Sequence, residues 1–207
     1  MGIADSAGMG VHPAIYSTIS LAQKHPPNLE QVLSNLSVAI SKIPTDRHTA
    51  LDADMTSTSS GRTASDLQLA SLYSCRAATL CQMERYREAL FDSASAIARD
   101  DKALYHWPMG RALSGIRIWA EAVREFSIAL GIQDKEIRTK IFLDRAIAYG
   151  KIKKREQAIG DYLRALQGIN QKDSWERTTG DCHNGAIAET ALRNLGVPVV
   201  PMYAREA

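Results

Sequence analysis

Apolar residues recur at intervals of three and four along most of the chain, the period of amphipathic helices rather than of strands. The pattern is clearest from Ala70 to Ala103, where Tyr73, Ala77, Leu80, Tyr86, Ala89 and Ala96 form two successive stripes. A turn falls near Met83-Glu84-Arg85, and Asp100-Asp101 closes the unit. Small residues at Ala77, Ala89 and Ala96 let helices approach closely, while Tyr73, Leu80 and Tyr86 fill the space between. The pattern then repeats. Gly110, Leu113, Trp119, Ala122, Phe126, Ala129 and Leu130 take the matching places between about Ala103 and Lys135. Phe142, Ala146, Tyr149, Ala158, Tyr162, Ala165 and Leu166 take them again. The runs Tyr86–Leu90, Trp119–Val123 and Arg155–Ile159 match position by position, with alanine fourth in each.

A weaker copy lies ahead of these, carried by Tyr16, Ile19, Ser20, Leu29, Leu36, Ala39, Ile40 and Pro44, with Val32 where the signature alanine belongs. Ala39 and Ala96 are 57 residues apart, too far for one period, which predicts an insertion at about 45–66. Its Thr56–Gly61 stretch is too polar to bury a core. After Gln171 the pattern fades into one further predicted helix, Gly185 to Leu195, with Asn184 as candidate N-cap and Gly196 as candidate stop. Residues 197–203 read as an extended, proline-punctuated segment within a tail at 197–207.

Ala96 to Ala129 is 33 residues and Ala129 to Ala165 is 36, which bracket the period of about 34 residues of one helix-turn-helix repeat. On these positions the chain resembles the tetratricopeptide repeat family over about residues 13–171. The resemblance implies an all-α, right-handed superhelix of about four helix-turn-helix repeats with a C-terminal capping helix. Its parts would be an N-terminal arm at 1–12, repeat 1 at 13–44, the insertion at 45–66, repeats 2–4 at about 70–171, a capping region at 172–196 and the tail at 197–207. It also implies a concave groove, lined by the first helix of each repeat, that takes a peptide or helix of a partner protein. Matching positions place Ser74, Ala78, Leu104, Trp107, Arg111, Lys140, Leu143 and Ile147 on that groove, with Trp107 the candidate anchor. The Asn, Lys and Arg clamp with which some members of the family grip chaperone tails is not matched: Cys75, Leu104 and Pro108 stand at its places. Pro108 implies either a helix that begins late or one that kinks.

Charge and chemistry narrow the function classes. The chain has 207 residues, 45% of them hydrophobic, and a formal net charge of +2 from 25 basic and 23 acidic residues. That balance does not point to nucleic acid as a partner. The basic run Lys151, Lys153, Lys154, Arg155 reads as a solvated turn between helices. Cys75, Cys81 and Cys182 form no C-x-x-C, and the five histidines form no metal-binding spacing, so no metal and no cofactor is expected. Cys182-His183 read as loop residues beside a helix start. No phosphate-cradling glycine motif and no small-molecule substrate are expected. No stretch reaches the roughly 20 apolar residues of a membrane span. Met1–Ser6 fits the N-myristoylation pattern, making Gly2 a candidate lipidation site and a membrane a partner only through it. The expectation is a non-catalytic adaptor for a partner protein in the cytoplasm. The alternatives are a fixed subunit of a larger organellar or cytoskeletal assembly and, third, an enzyme with an unrecognised site.

Overall fold

The computed structural model describes residues 28–43, 63–172 and 176–199. All regular structure among them is helical: α1 (Leu29–Ser41), α2 (Ala64–Gln82), α3 (Tyr86–Arg99), α4 (Ala103–Gly115), α5 (Trp119–Ala129), α6 (Lys135–Lys151), α7 (Arg155–Asn170) and α8 (Thr179–Asn194). The first half of the first expected repeat, most of the insertion, Gly2 and residues 200–207 lie outside the described residues.

Two kinds of terminus organise the chain. α1, α2, α6 and α8 begin on side-chain caps, from Asn28, Thr63, Asp134 and Thr178, which satisfy the first free N–H groups. At Thr63 and Thr178 the cap is reciprocal, with Asp66 and Asp181 accepting from the cap backbone. α3, α5 and α7 have no such cap and follow the preceding helix through a tight turn. In each turn one residue is left-handed, Glu84 at φ 59°, Arg117 at 66° and Lys153 at 61°. Each turn also closes with a bond back over five residues: Arg85 N–H to Leu80 O (2.9 Å), Ile118 to Leu113 (2.9 Å) and Lys154 to Tyr149 (3.0 Å). A left-handed conformation at a non-glycine residue costs about 1 kcal/mol. Its recurrence at three matched positions marks one turn design used three times. Gly196 ends α8 the same way, at φ 73°.

The core follows the alanine pattern. Ala89, Ala122 and Ala158 are each the fourth residue of their helix and each fully buried at 0% exposure. Ala77, Gly110 and Ala146 on the first helices, and Ala96, Ala129 and Ala165 on the second, are likewise buried. Bulk varies where small residues do not: Phe126 and Tyr162 fill a position that Ser93 occupies in α3. A Cβ on Gly110 would lie 2.6 Å from the Phe126 ring, so glycine there makes room for that aromatic. Each helix packs on the next, and α2, α4, α6 and α8 also touch in series, whereas α3, α5 and α7 make no comparable contact with one another.

Buried ion pairs repeat with the same register. Arg76 forks onto Asp92 at 2.7 and 2.8 Å, and Arg145 onto Asp161 at 2.7 and 3.0 Å, across the paired helices. The remaining Nη1 of each guanidinium donates to a serine of the preceding helix, Ser37 at 3.2 Å and Ser127 at 2.9 Å. Thus α1 stands to α2 and α3 as α5 stands to α6 and α7.

Several boundaries differ from the sequence reading. α2 begins at Ala64, inside the expected insertion, because Thr63 and Asp66 form a capping box. The last helix begins at Thr179 rather than Gly185, again through a capping box, so Asn184 is internal and Cys182-His183 lie in the helix rather than in a loop. Pro108 lies well inside α4, which excludes the late start. Of the basic run, Lys153 and Lys154 lie in the turn at 152–154, while Lys151 ends α6 and Arg155 begins α7.

Candidate functional site

The expected groove residues sit on α2, α4 and α6, the helices that touch in series. The structure brings part of the set together. Trp107 on α4 is half-buried, and its Nε1–H donates to Asp144 Oδ2 on α6 at 2.8 Å. Arg111, one turn further along α4, places Nε 4.0 Å from the same oxygen and its guanidinium carbon 6.0 Å from the Trp107 ring centroid. Ile147, one turn beyond Asp144, lines an adjoining cavity of about 250 Å³ together with Cys81, Tyr86, Arg111, Ser114 and Asp144.

The electrostatics fit a concave floor. Asp144 keeps 29% of its side chain accessible, yet desolvation raises its pKa above the usual carboxylate value, against the opposing pull of Arg111 and the Trp107 donor. A carboxylate surrounded on most sides but open on one behaves this way. Ser114 Oγ is buried beside the cavity with no hydrogen-bond partner among the described residues. Cys81, buried, donates its thiol to the Pro108 carbonyl at 3.5 Å, tying α2 to α4. Burial pushes the thiols of Cys75 and Cys81 up to about 11, which keeps them protonated and poorly nucleophilic at neutral pH.

Other expected groove residues are placed differently. Leu143 and Ser74 are buried, at 5% and 7% exposure, so they belong to the packing between helices rather than to an open lining. Leu104 is half-buried against Tyr105, Ala70 and Ala96. Ala78 is half-buried on α2. Lys140 is paired with Glu136 at 2.9 Å, one turn back on its own helix. No protein-family model matches the chain, and no curated protein matches it. The geometry of these helices therefore carries the functional reading.

Matching positions also place Asp144 on the groove side, and it is the acceptor that fixes Trp107: the two lie 37 residues apart, close to one repeat period, on neighbouring first helices. Sequence reasoning passed over His106. It is buried on α4, with Nδ1 2.7 Å from Glu125 of α5 and Nε2 2.8 Å from Asp101. Both partners only accept when ionised, so the arrangement favours the imidazolium, in which both ring nitrogens donate. Burial works against that charge, but the hydrogen bonds to Asp101 and Glu125 outweigh it and the pKa is raised. Where the flanking helix pairs use Arg76–Asp92 and Arg145–Asp161, Met109 and Glu125 stand at the matching positions, and His106 supplies the cation.

Proposed function

We propose that this chain is a tetratricopeptide-type repeat protein that holds a partner protein, not an enzyme, and that it binds a peptide or helix along the side formed by α2, α4 and α6. Repeat 1 would end in α1, followed by three complete pairs and α8 as the cap. The observation that carries the reading is the threefold recurrence of buried Ala89, Ala122 and Ala158, each five residues past the left-handed residue of a turn hydrogen-bonded in the same way. Contact in series among first helices, without comparable contact among second helices, supports a stack curved toward the first-helix side. On that side a partner would meet Trp107, Arg111, Ala78 and Ile147 around the Asp144 carboxylate and the cavity beside it.

A fixed place in a larger assembly is the second reading, and one observation favours it. Phe91 on α3 is 71% exposed, with Ile128 of α5 and Leu163 of α7 also showing apolar surface. Site-specific photocrosslinking separates the two. A photoreactive residue at Ala78 or Ile147 should capture a partner that the same residue at Phe91 or Leu163 does not. Capture only from Phe91 and Leu163 would remove the groove and leave the assembly reading.

A further inference from the structure

A second surface, on the side of α6 away from Trp107 and Asp144, has a chemistry of its own. Arg138, Phe142, Arg145 and Tyr149 follow one another along α6 at helical spacing. Three guanidiniums surround the half-buried Phe142 ring: Arg138 at 5.9 Å from its centroid, Arg145 at 5.8 Å and Arg164 of α7 at 5.8 Å. Among the described residues, Asp161 is the carboxylate ion-paired with this group. Asp161, 1% exposed, accepts from Arg145 at 2.7 and 3.0 Å and from Arg164 at 2.9 Å, so its oxygens are already taken.

Beside the ring a cleft of about 590 Å³ opens between α6 and α7, within the size range of ligand sites. Lys135, Arg138, Arg164 and Lys172 line it, against Glu136 as the lining carboxylate. Glu136 is held by Lys140 at 2.9 Å, and Lys172 is held by Asp181 at 2.9 Å. Neither Lys135 nor Arg138 has an acidic partner among the described residues. Arg138 instead lies over the Phe142 ring, a weakly hydrated cation on an apolar floor. For a protein with a net charge of only +2, this is a local concentration of positive charge at a concavity, not a general property of the surface.

We infer that the α6–α7 cleft is a docking site for an acidic segment of a partner protein, with carboxylates received by Arg138, Lys135 and Arg164 and an apolar side chain seated against Phe142. Charge complementarity selects the occupant. A guanidinium fork recognises a carboxylate in two parallel hydrogen bonds, and desolvation by the ring strengthens each. A nucleic acid strand fits less well, since its affinity comes from many phosphate contacts along an extended basic track, whereas these cations converge on one short cleft beside Glu136.

Fluorescence anisotropy of the full chain with a fluorescein-labelled octaglutamate peptide tests the inference. The expected result is binding that weakens as salt is raised and that falls about tenfold in the variant Lys135→Glu/Arg138→Glu. The variant Arg87→Glu/Arg124→Glu, exposed on α3 and α5, changes the net charge equally and should retain binding. Circular dichroism and the melting temperature establish that both variants fold. Absence of binding by the wild-type chain, an equal loss in both variants, or tighter binding of an oligothymidylate of equal charge would each overturn it.

Discussion

Removing the cation from each repeated ion pair should have unequal cost, and the inequality is set by one neighbouring side chain. Asp92 and Asp161 are both almost fully buried, at 3% and 1% side-chain exposure, and each receives two hydrogen bonds from one arginine. Arg76→Met keeps the aliphatic stem but leaves Asp92 with no cationic partner among the described residues. Breaking a buried pair from one side costs about 3–5 kcal/mol, and the partial exposure of Arg76 puts the expected loss near 3 kcal/mol. Arg145→Met leaves Asp161 still bonded to Arg164 at 2.9 Å, so about half of that, roughly 1.5 kcal/mol, is expected. Replacing the whole first pair, Arg76→Met with Asp92→Leu, should recover most of the loss, because no unpaired charge is left behind. Urea unfolding followed by far-UV circular dichroism reads all three. Equal losses for Arg76→Met and Arg145→Met, or the larger loss at Arg145, would refute the reasoning.

Ser93 is fully buried and its hydroxyl has no hydrogen-bond partner among the described residues, so Ser93→Ala should leave stability unchanged or raise it by about 1 kcal/mol in the same assay; a loss would show that the hydroxyl has a partner. Gly110→Ala should destabilise by about 1 kcal/mol, overpacking against Phe126 exceeding the gain in helix propensity, and Phe126→Leu should relieve it. Gly150→Ala, where an added Cβ meets nothing within 4 Å, should instead stabilise by a few tenths to about 1 kcal/mol. The raised pKa of His106 gives stability that is fully present below its unfolded pKa of about 6.5 and is lost as pH rises through the higher folded value. The stability difference between wild type and His106→Gln should therefore shrink between pH 6 and pH 9, as measured by urea unfolding across that range; a pH-independent difference would refute the imidazolium.

The helices themselves were legible because the same small residues return at the same places: Ala77, Ala89 and Ala96 announce a pair, and Gly110, Ala122 and Ala129 announce it again. The boundaries that moved were set by capping boxes, Thr63 with Asp66 and Thr178 with Asp181, whose polar residues lie outside any apolar stripe. The turns near 83–85 and at the basic run were expected, but nothing in Glu84, Arg117 or Lys153 advertises a left-handed residue, since the usual signal is glycine or asparagine. The site was less legible. Matching positions put Ser74, Leu143 and Trp107 on one side of the stack, but the depth of each depends on the neighbour it meets, which periodicity does not encode. The arginine–aspartate pairs could have been found, as both join residues 16 apart. His106 could not, because its place in the array is filled by Met109 and its partners lie on two different segments.

The side chains of the proposed groove hold the first helices together. α2 is tied to α4 by Cys81 on the Pro108 carbonyl, and α4 to α6 by Trp107 and Arg111 on Asp144. Pro108 gives up a backbone donor inside α4, at a cost of about 3 kcal/mol in an ordinary helix interior, while its carbonyl takes a bond from the neighbouring first helix. Trp107 sits one residue before it. A Trp107→Phe change keeps the ring but removes the 2.8 Å bond, leaving a desolvated Asp144 with Arg111 alone at 4.0 Å. That loss acts on the spacing of α4 and α6 before it acts on any partner. Trp107→Phe should therefore lower stability by about 1–2 kcal/mol in the absence of ligand. An unchanged stability would mean that the indole N–H is not spent on Asp144 and is free to serve a partner directly.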